Sequence, residues 1–149
     1  MSIGVLLVDD HAIIREGLRS LLEKQPDTEV LADTDEGRKA LELVRELSPD
    51  VVVMDVTMTG LNGIEATRLI TAEFPQVKVI ALSIHSQRRF IAEMLSAGAA
   101  GYILKECLFE ELVQAIRAVA VGGRYLSPRI ADVVVDGYVK RLSTTADWS

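Results

Sequence analysis

The chain has 149 residues, 49% of them hydrophobic, with one cysteine and a formal net charge of -6. That length builds one folded domain with a real core and leaves little for a second. The charge argues against this chain gripping a nucleic-acid backbone by itself, and the lone Cys107 excludes an internal disulfide. No apolar run approaches the roughly 20 residues a bilayer needs, and no charged leader with a cleavage site precedes the first run. A cytoplasmic location and no membrane partner are therefore expected.

Residues 3–8 are a short apolar run that ends in acid, at Asp9 and Asp10. Residues 12–24 carry Ile14, Leu18, Leu21 and Leu22 at the spacing of one helix face, closed by Pro26. Residues 28–32 read as a strand. Residues 35–47 read as a helix with Ala40, Leu41, Val44 and Leu47 inward, and Pro49 and Asp50 punctuate the chain after it. Val51, Val52, Val53 and Met54 then form an unbroken apolar run, suited to a strand buried on both faces, and Asp55 follows directly. Residues 57–63 hold two glycines and no periodicity, so they form a loop. A helix over 64–74 is ended by Pro75, and residues 77–82 are another continuous apolar strand that finishes at Ser83. A helix over 87–97 stops at Gly98, and residues 101–104 form a short strand with Lys105 at its end. Residues 108–121 give a last amphipathic helix before Gly122 and Gly123.

A strand-helix unit thus recurs about every 25 residues, the signature of βαβ crossovers. Five units are too few to close an eight-stranded barrel, so the expected fold is α/β: an open, doubly wound, five-stranded parallel sheet. In the flavodoxin-like order 2-1-3-4-5, the first and third strands are neighbours at the topological switch point, so Asp9, Asp10 and Asp55 meet there.

Three carboxylates within about 5 Å repel by roughly 3 kcal/mol per pair at an effective dielectric near 20, which calls for a cation. Oxygen ligands with room for water favour Mg²⁺ over a calcium cage. Zinc is disfavoured, because no Cys or His pairs occur at ligand spacing, and His11 and His85 read as structural or solvated. Ser83 and Lys105 end the fourth and fifth strands and face Asp55 from the other side. A hydroxyl donor and a fixed ammonium are what an incoming phosphoryl group needs at a carboxylate nucleophile.

These residues resemble the receiver domain of two-component response regulators over about residues 3–121. The likeness rests on Val8-Asp9-Asp10, Met54-Asp55, Met58, Gly63, Ser83 and Gly101-Tyr102-Ile103-Leu104-Lys105. Asp9-Asp10-His11, Gly63-Ile64-Glu65-Ala66 and Leu82-Ser83-Ile84-His85 are similar to the NarL/FixJ (LuxR-type) branch, with a flavodoxin-like (CheY-like) fold. The resemblance implies that Asp55 accepts a phosphoryl group from a sensor histidine kinase. It also implies that Asp10, Asp55 and the Thr57 carbonyl bind Mg²⁺, with Asp9 acting largely through water. Lys105 would contact the phosphate, Ser83 would move to hydrogen-bond it, Tyr102 would be the switch aromatic, and Thr57 and His85 would tune phosphoryl lifetime. The expected product is a signalling switch rather than an enzyme, with autocatalytic phosphotransfer to Asp and slow self-dephosphorylation. Two departures stand out: Thr59 and Glu106 replace prolines common in the family, and Thr59 frees φ in the loop after Asp55.

The receiver is expected to span 1–122. Ser127-Pro128 looks like an N-cap with Pro at the first helical position. Ile130, Val133, Val134, Tyr138 and Leu142 share one face of a helix running to about residue 142. That helix either packs back on its own domain or, as the resemblance favours, acts as a linker. Residues 123–149 would then be a linker helix and frayed tail leading to a DNA-binding helix-turn-helix domain absent from this chain. A homodimer is a further expectation. Two other functions compete: a haloacid-dehalogenase-like phosphatase, disfavoured because its acidic pair comes last and Thr57 cannot serve as its general acid, and a degenerate receiver acting by protein contacts only.

Overall fold

Val51–Asp55 has no polar residue before its last position, and in the computed structural model all five of its residues are buried. The structure describes residues 2–58 and 60–144. Five further strands flank this one: β1 (Ile3–Val8), β2 (Thr28–Thr34), β4 (Lys78–Ser83), β5 (Gly101–Leu104) and β6 (Tyr125–Leu126), with Val51–Asp55 as β3. All pairings are parallel, in the order β2-β1-β3-β4-β5-β6. The order of the first five is the one expected. The sixth strand is a correction to the five-stranded sheet read from sequence. Without it β5 would be an edge with free backbone groups. Tyr125 N donates to the Ala100 carbonyl at 3.2 Å and Ser127 N to the Tyr102 carbonyl at 3.0 Å.

Six helices complete the chain: α1 (Ala12–Glu23), α2 (Gly37–Leu47), α3 (Gly63–Glu73), α4 (Arg88–Ser96), α5 (Leu108–Ala120) and α6 (Pro128–Thr144). The alternation of side chains along each strand divides the core into two layers. Val5, Leu7, Val51, Val53, Ile80, Leu82 and Ile103 meet Leu18 and Leu22 of α1 and Leu112 and Ile116 of α5. Leu6, Val8, Val52, Met54, Val79, Ala81, Tyr102 and Leu104 face the other way, onto α2, α3, α4 and Ile130 of α6. Leu47, expected inward, is exposed at the end of α2.

The C-terminal helix packs back on the domain. Ile130 is fully buried and Val133 and Val134 pack partly against the same layer, whereas Tyr138 and Leu142, expected on that face, are exposed. The Arg88 side chain of α4 approaches α6 closely at Gly137, where a Cβ would stand 3.2 Å from Arg88 Nε. Ser127 precedes Pro128 as expected, but its hydroxyl accepts from Leu104 N at 3.2 Å and donates to Glu111 Oε1 at 2.8 Å. The helix runs to Thr144, two residues beyond the expected end. The frayed tail, including Trp148, and the loop residue Thr59 lie outside the described residues.

Candidate functional site

Parallel strands present their carboxyl ends at one edge, and the register fixes which residues meet there. Val8 pairs with Met54, Asp55 with Leu82, and Ser83 with Leu104. Asp9, Asp55, Ser83 and Lys105 therefore come to one rim. Asp55 is fully buried and Asp9 is 1% exposed, while Asp10 stands at the surface. A 3-10 turn over Lys105–Cys107, not foreseen from sequence, starts directly at the end of β5. Lys105 Nζ lies 3.1 Å from Asp9 Oδ2 and 3.3 Å from Asp55 Oδ2.

Backbone geometry holds the acids in place. Thr57 N donates to Asp55 Oδ1 at 3.2 Å. Gly63 opens α3 against the carbonyl of Asp55, where any Cβ would overlap the oxygen, so this position admits only glycine without displacing β3. Arg15 Nη1 donates to the Asp9 carbonyl at 2.6 Å, and its Nε reaches Asp33 Oδ1 at 3.2 Å. This bracing arginine was not singled out from sequence, because its partners lie on β2 and in the loop after β1, out of reach of helical periodicity.

Burial pushes the Asp55 carboxyl up to about 6, the Asp9 charge adds to the effect, and the Lys105 ammonium opposes it. Asp9 Oδ2 and Asp55 Oδ2 accept no hydrogen bond among the described residues, although Lys105 Nζ is within ion-pair distance of both. One ammonium cannot balance three carboxylates, and orphaned buried oxygens are costly. A hard divalent cation with oxygen ligands fits this donor set.

The structure also brings in a residue set aside as structural or solvated. Ligand atoms of Asp9, Asp10, His11 and Asp55 all lie within 4.8 Å of one another. The signal was available in the run Asp9-Asp10-His11, but which way the ring turns is a rotamer choice that no local pattern encodes.

Ser83 and Tyr102 lie one step away and meet at His85. Ser83 Oγ accepts from His85 N at 2.9 Å, and the Tyr102 hydroxyl donates to the His85 carbonyl at 2.9 Å. Tyr102 is fully buried, which raises its phenol pKa, with the Ser83 side chain acting in the opposite direction. The His85 ring stacks on Phe90 at 4.1 Å between centroids.

The family model described as the response regulator receiver domain matches residues 5–117. The chain belongs to that family. The receiver is 40% identical over 136 residues to the transcriptional regulatory protein DegU of Brevibacillus brevis, covering 91% of this chain and 58% of the relative. It is 45% identical over 129 residues to the response regulator GacA of Pseudomonas aeruginosa, covering 87% and 60%. A crystal structure of a LuxR-family two-component response regulator from Aurantimonas sp. SI85-9A1 superposes with a TM-score of 0.88 at 40% identity, covering 93% of this receiver and 99% of that chain. The NarL/FixJ (LuxR-type) branch expected from sequence agrees with these relatives. The receiver is a signalling module of two-component systems, a phosphorylation-controlled switch, and the haloacid-dehalogenase reading is set aside. It spans about three fifths of the length of the curated relatives it matches (58% and 60%). Among the described residues, no helix is long and apolar enough to cross a membrane.

Proposed function

We propose that Asp55 takes a phosphoryl group from a sensor histidine kinase in a Mg²⁺-dependent reaction that this domain itself promotes. The observation that carries the reading is the fully buried Asp55 carboxylate, with one oxygen lacking a hydrogen bond and a lysine ammonium 3.3 Å away. Asp10, Asp55 and the Thr57 carbonyl would hold Mg²⁺, with Asp9 acting through water. When bound, the cation screens the approaching phosphate and balances charge on its equatorial oxygens. An Asp55 oxygen attacks phosphorus, the bond from phosphorus to the kinase histidine nitrogen breaks, and that nitrogen keeps the electron pair. Lys105 leaves its carboxylate partners to pair with the phosphoryl oxygens. Slow attack of water on the acyl phosphate resets the switch, at a rate tuned by the side chains of Thr57 and His85.

The added group carries close to two negative charges and several strong acceptors. Ser83 would give up the amide of His85 to donate to the phosphoryl group, and the loop that follows moves with it. Tyr102 hydrogen-bonds to the same His85 main chain, so the aromatic would respond to that loop and carry the change toward α4 and α5. In this reading residues 1–122 form the receiver, and residues 123–149 link it to a helix-turn-helix output domain of a longer polypeptide. The greater length of the relatives supports that division, although β6 and the packing of α6 tie residues 125–134 to the receiver core. The active form would pair as a homodimer, in the cytoplasm, where the kinase presents its phosphohistidine.

Incubation with Mg²⁺ and acetyl phosphate is expected to add one phosphate by mass, labile to base, and lost in Asp55→Asn. Phosphate retained in Asp55→Asn would overturn the assignment of the acceptor. Mg²⁺ binding without any phosphate uptake would instead mark a degenerate receiver that works by protein contacts.

A further inference from the structure

We infer that the groove between α4 and α6 binds an amphipathic anion, a carboxylate carried on a medium-length aliphatic chain. The groove encloses about 530 Å³ and shares no residue with the acidic rim around Asp55. That volume lies within the roughly 300–1,000 Å³ of small-molecule sites, which are apolar hollows with a few placed polar groups. Its depth is built by Ile91 and Leu95 of α4 and by Val133 and Val134 of α6. Ile91 is 2% exposed, and the other three pack partly against the same core layer. Gly137 keeps the groove open, because it brings no side chain to the place where α6 passes the Arg88 guanidinium.

The rim carries charge of one sign. Arg88, Lys140 and Arg141 are the charged side chains that line the groove, in a chain with 22 acidic and 16 basic residues. The acids of the same two helices, Glu93, Asp132 and Asp136, are exposed and do not line it. Arg88 and Lys140 are exposed and form no ion pair among the described residues. Arg88 also opens α4, a helix with no side-chain cap and no acid in its first turn, so the backbone amides add partial positive charge at the same place. An apolar floor under a cationic rim complements a ligand with an aliphatic body and one anionic head. Arg88 and Leu95 stand about 10 Å apart along the helix axis, a length that suits a medium acyl chain rather than a membrane-lipid tail.

Calorimetric titration of the full chain at pH 8 with octanoate, decanoate and octanol tests the inference. Decanoate is expected to bind about tenfold more tightly than octanoate, from two further buried methylenes. Octanol, equal in length but uncharged, is expected to bind at least about threefold more weakly than octanoate. Arg88→Gln and Lys140→Gln should each weaken octanoate about threefold and leave octanol within about twofold. Ala92→Trp, at an exposed position on the groove wall, should abolish binding of all three at an unchanged melting temperature. Amide shifts on adding decanoate are expected at Ala92 and Gly137. Equal affinity for octanol and octanoate overturns the inference, as do decanoate-induced shifts confined to other parts of the chain. So does binding to anionic phospholipid vesicles without binding of monomeric decanoate, which would make the face a lipid-surface contact. A dimer of the chain that dissociates in Ala92→Trp and ignores decanoate overturns it as well, since the groove would then be filled by a second copy. The charge and chain-length series on the unaltered protein decides the matter even where a variant fails to fold.

Discussion

Replacing Asp55 by Asn is expected to make the protein more stable at alkaline pH, against the usual direction for a fully buried site residue. Burial and the neighbouring Asp9 raise the Asp55 carboxyl from 3.8 to about 6, with Lys105 pulling the other way. At about 1.4 kcal/mol per pKa unit, ionised Asp55 costs the folded state about 3 kcal/mol above pH 6. The folded chain holds this proton more tightly than the unfolded one. The stability it contributes is therefore complete below about pH 4 and lost as pH rises through about 6. Asn removes the charge at a price: its single carbonyl oxygen cannot both accept from Thr57 N and face Lys105 Nζ. One lost hydrogen bond is about 1 kcal/mol, so the net gain at pH 8 is about 2 kcal/mol.

Urea unfolding followed by circular dichroism in EDTA, near pH 4 and pH 8, measures both ends of that window. The advantage of Asp55→Asn is expected at pH 8 and should vanish near pH 4, where the wild-type carboxyl is protonated in the folded chain and increasingly so in the unfolded one. Mg²⁺ at pH 8 should then raise wild type well above its EDTA value by mass action, with little effect on Asp55→Asn. A variant less stable than wild type at pH 8, or a difference that does not change between the two pH values, would refute the argument that Asp55 is held under electrostatic strain.

Lys105→Met removes the ammonium that lies 3.1 and 3.3 Å from the two orphaned oxygens and is expected to cost about 3 kcal/mol at pH 8. Carboxyl-carbon NMR should show Asp55 titrating higher still, because the Lys105 charge lowers it, ahead of the hydrogen bond from Thr57 N. Gly63→Ala forces a methyl into the Asp55 carbonyl; about 4 kcal/mol of destabilisation is expected, read as a fall in melting temperature, with Mg²⁺ affinity falling alongside as β3 shifts. Ser127→Ala strips the buried Leu104 N of its acceptor and Glu111 of one of its two hydroxyl donors. About 2 kcal/mol is expected, together with faster hydrogen exchange at the Leu104 amide and an unchanged Mg²⁺ affinity.

What sequence made legible, and what it did not, divides along one physical line. Runs such as Val51 to Met54 declare a strand covered on both faces, and a parallel strand must end where its neighbours end. The polar residues after Val8, Met54, Leu82 and Leu104 could therefore be brought together before any coordinates were known. Helix bounds followed to within a residue or two, because Leu18 and Leu22 or Ala40 and Val44 mark inward faces by spacing alone. The sixth strand left no such trace: Tyr125 and Leu126 are too few to show a period, and they pair because β5 needs a partner. The exposed Tyr138 and Leu142 mislead for the converse reason, since the periodic face of α6 continues past the point where Ile130, Val133 and Val134 meet the core. His11 belongs with these, as its meaning depends on a ring rotation that brings Nδ1 to the carboxylates. Ser83, Tyr102 and His85 show the same limit within the site. Their strand-end positions follow from pattern, but their coupling runs through the backbone amide and carbonyl of His85, groups that every residue carries and that no sequence distinguishes. A residue's place at the rim is thus written in hydropathy, and what it does there is decided by hydrogen bonds that hydropathy cannot see.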